Sequence, residues 1–143
     1  MSRSEILAAI PHRPPFLLVD EIVEQDERRI VCRKTFTPDE WFFAGHYPDY
    51  PVVPGVLLCE AAMQAGAVLL AQYAQATDEQ VPVAARMQDV RFKRMVRPGE
   101  TIEIAVEITE RVSKAWFLSA RVSSAGKAAV TLEFACTLAP KGE

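Results

Sequence analysis

Hydrophobic and polar residues alternate with a period of two along the C-terminal half of the chain. Ile102, Ile104, Val106 and Ile108 alternate with Glu103, Ala105, Glu107 and Thr109. Val130, Leu132, Phe134, Cys136 and Leu138 alternate with Thr131, Glu133, Ala135 and Thr137. This spacing sends successive side chains to opposite faces and predicts half-buried antiparallel strands. Pro98-Gly99, Val112-Ser113 and Ala125-Gly126 supply turns between them. Two earlier strands are predicted, from Phe16 to Glu24 and from Arg28 to Phe36, about the polar turn Gln25-Asp26-Glu27. Between the two sets the period changes. Pro54 to about Ala76 is rich in Ala, Leu, Met and Gln, all good helix formers. About 23 residues at 1.5 Å each predict a rod of roughly 34 Å. Ser4 can cap a short helix through Ala9, which Pro11, Pro14 and Pro15 end; Thr37 to Val53 reads as irregular.

The long helix is apolar nearly all round, which predicts burial rather than a surface position. Two strands precede it and four follow. The expected architecture is α+β: one domain over residues 1–143, with a curved antiparallel sheet of about six strands wrapped round the helix. A half-closed sheet leaves an open edge, to which a second copy can pair.

Composition narrows the function classes. Half of the 143 residues are hydrophobic, 24% are charged and the net charge is −3, an ordinary globular balance. No stretch approaches the ~18 consecutive apolar residues of a membrane span. The N-terminus reaches an acid, a histidine and a proline pair too early for a secretory signal. Cys32, Cys59 and Cys136 form no CxxC, so neither a disulfide framework nor a zinc knuckle is expected, and the cytoplasm is the expected compartment. A local excess hides in the total. Arg86, Arg91, Lys93, Arg94 and Arg97 face the single acid Asp89 between them. On an acidic chain this patch suits a small acidic partner better than nucleic acid; it also fits a solvated strand edge.

Few residues can carry chemistry. His46 lies in Phe43-Ala44-Gly45-His46-Tyr47-Pro48, where glycine and proline suggest a fixed, tightly turned backbone; a plain backbone-bonded histidine is the alternative. His12, between Pro11 and Arg13, reads as structural. Glu60 and Gln64 are the only polar side chains between Gly55 and Ala71, four apart on one helix face. Burying a carboxylate is costly and favours its protonated form, as a general acid needs; a Glu–Gln packing network is the alternative. Gly55, after Pro54, offers a helix-start N–H to a ligand carbonyl or oxyanion, or simply starts the helix. Cys59 adjoins Glu60 without an activating base and reads as a buried thiol. No phosphate loop or metal-ligand cluster is visible, so no cofactor or metal is expected.

The segment from His46 through Gln64, His-Tyr-Pro-Asp-Tyr-Pro-Val-Val-Pro-Gly-Val-Leu-Leu-Cys-Glu-Ala-Ala-Met-Gln, resembles the signature GHFPxxPxxPGVLxxExxxQ. That signature marks the 3-hydroxyacyl-[acyl-carrier-protein] dehydratases of the FabZ family, from bacterial type II fatty acid synthesis. Ile10 to Asp20 and Arg91 to Gly99 also match the family pattern, so the resemblance spans nearly the whole chain. It implies a hot-dog fold and dimers, often assembled into hexamers, with His46 of one subunit facing Glu60 of the other. Tyr47 stands where the family usually has Phe. Cys59 stands where an aliphatic residue is common. The related dehydratase-isomerases carry Asp at the position of Glu60, so Glu60 favours simple dehydration.

The chemistry so implied converts a (3R)-3-hydroxyacyl thioester on carrier protein to a trans-2-enoyl thioester and water. His46 would take the Cα proton, Glu60 would protonate the departing hydroxyl, and Gly55 N–H would hold the thioester oxygen. Gln64 would hold Glu60. Val56, Met63 and Phe92 would line an acyl tunnel, or are ordinary packing. Arg91, Lys93, Arg94 and Arg97 would dock the acidic carrier. Rival expectations on the same fold are an acyl thioesterase, which needs no such His–Glu pair, and a non-catalytic acyl-binding subunit.

Overall fold

In a computed structural model of the chain, residues 3–74, 77 and 79–142 are described. Helix α1 (Arg3–Ala9) is followed by strands β1 (Glu21–Gln25) and β2 (Arg29–Thr35). A single 3-10 turn (Phe43–Gly45) precedes the long helix α2 (Gly55–Leu70). Strands β3 (Gln80–Phe92), β4 (Thr101–Val112), β5 (Ala115–Ser124) and β6 (Lys127–Pro140) complete the chain. The six strands form one antiparallel sheet in the order β1-β2-β4-β5-β6-β3. Its concave face wraps α2, which is the hot-dog arrangement. No helix among the described residues is long and apolar enough to cross a membrane.

The period-two pattern sets which side each strand buries. Ile102, Ile104, Val106 and Ile108 of β4 point into the core with Leu118 and Val122 of β5 and Val130, Leu132 and Phe134 of β6. Leu58, Ala61, Ala62, Ala65, Val68 and Leu69 of α2 meet them. Gly66 lets the helix settle on the sheet: a Cβ there would lie 2.7 Å from Phe134 Cζ. A methyl group at this point would overpack a closed core, at a cost of about 1–3 kcal/mol.

Three expectations about extent change. The helix ends at Leu70, so it has 16 residues and a length of about 24 Å; the expected extension to Ala76 ends on residues outside the described set. Strand β1 starts at Glu21 rather than Phe16. The reason lies in Gln64, whose amide takes Phe16 O and receives Leu18 N–H, so this stretch bonds to the helix instead of to a ladder. The helix is also not sealed all round. Val56, Glu60, Met63, Ala67 and Ala71 fall on one stripe at helical spacing, and all are exposed or half-buried while the residues between them are mostly buried. The chain's own sheet does not cover that stripe.

Candidate active site

The loop that carries His46 is anchored before it arrives. Lys34 is nearly buried, with Nζ 3.3 Å from Glu40 and 3.7 Å from Asp20. That pairing ties the segment after β2 to the one before β1. Phe42 and Phe43 plug into the core behind it. The backbone device of the loop is Tyr47, whose φ of 52° is left-handed, and not Gly45, whose φ is ordinary and which has open space around it. The turn at Tyr47 sets His46 Nδ1 3.0 Å from Val52 O. A carbonyl only accepts, so Nδ1 carries the proton. The neutral ring therefore keeps a free lone pair on Nε2.

His46 lies in a cleft of about 680 Å³. Gly55 and Val56 of the helix start form one wall with it, and Phe92, Lys93 and Met95 form the other. Phe92 is there because β3 is irregular. Asp89 takes a φ of 53° inside a bulge between Gln88 and Arg91, where β3 uses one residue more than β6. A bulge reverses which face later residues occupy. Phe92 thereby lies against the helix start: a Cβ on Gly55 would come within 2.6 Å of Phe92 Cε1. A side chain at position 55 would thus press on the Phe92 ring, which is itself exposed. Gly55 and Val56 are the first residues of α2, where backbone N–H groups have no intrahelical acceptor and the dipole is positive.

Glu60 is elsewhere. Five residues on from Gly55, it lies about 140° round the helix and about 7.5 Å along it. It is half-buried on the uncovered stripe and does not line the His46 cleft. Gln64, 1% exposed, donates to Glu60 Oε2 at 3.0 Å and to Phe16 O at 2.8 Å, and accepts from Leu18 N–H at 2.7 Å. His12 joins this group, with Nε2 3.6 Å from Glu60 Oε2 and its ring stacked beside Phe16.

The model of the FabA-like domain family matches residues 10–133. The 3-hydroxyacyl-[acyl-carrier-protein] dehydratase FabZ of Clostridium perfringens is 43% identical over 133 residues, 93% of this chain and 95% of that protein. The protein of the same name from Herpetosiphon aurantiacus is 48% identical over 105 residues, covering 73% of this chain and 74% of that one. The chain belongs to the FabZ dehydratases of the FabA-like family. Solved structures agree on the fold. One described as the dehydratase heterocomplex ApeI:P from Xenorhabdus doucetiae superposes with a TM-score of 0.81 at 18% identity, covering 96% of this chain and 93% of that chain. A mutant thioesterase PA1618 from Pseudomonas aeruginosa gives 0.71 at 14% identity, covering 98% and 95%.

Of the site residues expected from the sequence, His46, Gly55, Val56 and Phe92 share one cleft with Lys93 and Arg94. Glu60, Met63 and Gln64 lie outside it. Three of the four basic residues from Arg91 to Arg97 have partners within the chain. Arg91 Nε bonds Asp89 at 3.0 Å, and Arg94 bonds Ser124 O at 3.1 Å and lies 3.5 Å from Glu100. Arg97 stacks on the Tyr50 ring, 4.4 Å from its centroid, and bonds its hydroxyl. Only Lys93 at the cleft has no side-chain partner among the described residues. Burial pushes the Cys59 thiol up, away from the thiolate a nucleophile needs; it does the same to Cys32, to about 12, and to Cys136, to about 11. His12, which the sequence reads as structural, is brought beside Glu60 by the fold. Its approach to Glu60 links positions far apart in the chain, and its one visible signal was membership in the Ile10–Asp20 stretch of the family pattern.

Proposed function

We propose that this chain is a hydro-lyase that dehydrates (3R)-3-hydroxyacyl chains on acyl carrier protein to trans-2-enoyl thioesters. The named relatives support the reaction, and the lock on the His46 tautomer carries the assignment of the base. With Nδ1–H held by Val52 O, Nε2 is the acceptor left on a ring that lines the apolar cleft, and it takes the Cα proton. The thioester oxygen gains charge as that C–H bond breaks, and Gly55 N–H at the positive end of α2 receives it. The C2=C3 bond forms as the C3–O bond breaks. Glu60 gives its proton to the departing hydroxyl, which leaves as water. Val56 and Phe92 hold the acyl chain, and Met63 adds apolar surface beside Glu60.

This assignment requires two copies, because one chain keeps His46 and Glu60 apart. Two features support a paired site. Strand β3 is the long bare edge of the sheet, 13 residues with Val83, Met87 and Phe92 exposed. The stripe that carries Glu60 is the uncovered side of α2. Pairing of β3 with β3 of a second copy extends the sheet and brings a second cleft to that stripe. Lys93 and Arg94 at the cleft mouth then meet the acidic carrier protein.

The test is the product. Purified protein given 3-hydroxyacyl carrier protein should yield an enoyl thioester still attached to the carrier, read by mass spectrometry. A free fatty acid would move the assignment to a thioesterase. Tight binding without turnover would move it to a carrier-binding subunit.

A further inference from the structure

The carboxyl group of Glu60 has two oxygens in unlike surroundings. Oε2 accepts from Gln64 Nε2 at 3.0 Å and has His12 Nε2 at 3.6 Å; Oε1 takes no bond among the described residues. The orientation of the Gln64 amide is not free to vary. Leu18 N–H must meet an oxygen and Phe16 O must meet a donor, so Nε2 is the atom that faces both Phe16 and Glu60. In a protonated carboxyl the carbonyl oxygen is the better acceptor, so N–H donors on Oε2 favour placing the acid proton on Oε1.

His12 adds a second donor to the same side. Its Nδ1 is buried and has no hydrogen-bond partner among the described residues. A proton on Nδ1 would be a buried donor without an acceptor, and orphaned buried N–H groups are the rarest kind. The neutral ring protonated on Nε2 is the form this environment favours, and Nε2 is the ring atom that lies 3.6 Å from Glu60 Oε2. The ring has one stacking partner, and the backbone that carries it is pinned. It stacks with Phe16, 6.4 Å between centroids. The Arg13 guanidinium bonds His12 O at 2.7 Å. It also bonds Ile10 O and Leu7 O, which pins the whole turn after α1. The 3.6 Å separation is longer than a formed hydrogen bond; such contacts shorten when a site closes on its substrate.

We infer that His12 is a positioning residue: as a neutral Nε2–H donor it works with Gln64 to occupy Glu60 Oε2, which confines the transferable proton to Oε1. This rests on the role of Glu60 as acid in the dehydration above. Oε1–H is then the group that meets the departing 3-hydroxyl. The proton goes to that oxygen, Glu60 is left as carboxylate, and the two donors on Oε2 stabilise the charge that appears. The device sets direction, because a carboxyl free to rotate offers its proton to the 3-hydroxyl only part of the time.

The experiment compares His12→Leu and His12→Gln, each made in the native chain and in Glu60→Gln, with dehydration of a 3-hydroxyacyl carrier protein measured at steady state. A Gln side chain places an N–H the same number of bonds from the backbone as His Nε2. His12→Leu should lower kcat about 10-fold with little change in KM, a fraction of what loss of a whole general acid costs. His12→Gln should recover most of that loss. In Glu60→Gln, His12→Leu should change nothing further, since the oxygen pair it orients is gone. Full kcat in His12→Leu overturns the inference. So does an equal loss in both backgrounds, or a His12→Gln variant as slow as His12→Leu while melting like the native protein. If His12→Leu does not fold, His12→Ala takes its place in both backgrounds and is read by the same outcomes. Native kcat in Glu60→Gln alone is a different failure: it removes Glu60 as the acid, and His12 loses its role with it.

Discussion

Phe92 lies edge-on against Gly55, so that a single methyl group on the helix start would come within 2.6 Å of the ring. The contact joins the last residue of β3 to the first residue of α2, and it forms one corner of the cleft that holds His46. Phe92 is itself exposed, so the ring can move when pushed. Gly55→Ala should therefore leave the melting temperature nearly unchanged. It should lower kcat/KM by about 10²-fold, the scale expected when a reacting group is misplaced by about 1 Å. A thermal melt beside a steady-state assay reads both. A large loss of stability instead would mean that the corner holds the fold rather than the substrate.

Loss of the imidazole should be felt more strongly. His46→Ala and Glu60→Gln should each lower kcat by ~10²–10⁴ without unfolding the chain. Mixing the two defective proteins after joint refolding gives a sharper result. A pair of copies with one defect each retains one complete His46–Glu60 combination out of two. Random pairing should therefore restore about one quarter of native activity. No recovery on mixing would place both residues of each site in the same chain.

Lys93 provides a separate test of the carrier. Lys93→Glu should raise KM for carrier-bound substrate about 10-fold at low salt, and the difference should shrink as salt is added. Short soluble thioesters should be turned over as before. Lys93 is preferred to Arg94 for this purpose, because Arg94 also holds Ser124 O and Glu100 and its loss would disturb the cleft wall itself.

Glu100 makes stability depend on acid. Burial pushes its carboxyl up, but the Ser124 hydroxyl, Arg97 N–H and the Arg94 and Arg97 guanidiniums outweigh that and hold it below its ordinary value of 4.5. A carboxyl titrating lower in the folded chain than in the unfolded one stabilises the fold above pH 4.5 and loses that effect as pH falls through the folded value. Glu100→Gln should lower stability by about 1 kcal/mol at pH 7, a few degrees in Tm. The gap should close as pH falls below 4.5 and through the folded value. Melting curves of both proteins across that range decide it; a gap that stays constant would place the effect in packing.

Much of the sheet was legible because its signal is local. Alternation in β4 and β6 decides which face meets the core whatever the rest of the chain does, and the bulk of the helix follows from its composition. The Glu60–Gln64 contact was legible too, since four positions on a helix are neighbours by geometry. What was hidden depends on partners distant in sequence. The Phe16–Asp20 stretch looks like a strand by its residues, but Gln64 takes its backbone groups. The bulge at Asp89, which turns Phe92 toward Gly55, has no residue signature, because a left-handed aspartate is an uncommon device. Gly45 and Pro48 marked the tight turn at His46, whereas Tyr47 between them takes the unusual backbone angle. The meeting of His12 with Glu60 needed three dimensions to be seen.

Gln64 leaves little room for independent change. One amide closes the loop before β1 and orients the carboxyl group beside it. A substitution there would be read by selection twice, as a loosened entry to the sheet and as a slower reaction. Drift in thermal tolerance and drift in turnover are coupled at this locus, and directed evolution that seeks to improve one should find the position closed unless the neighbouring loop is redesigned with it.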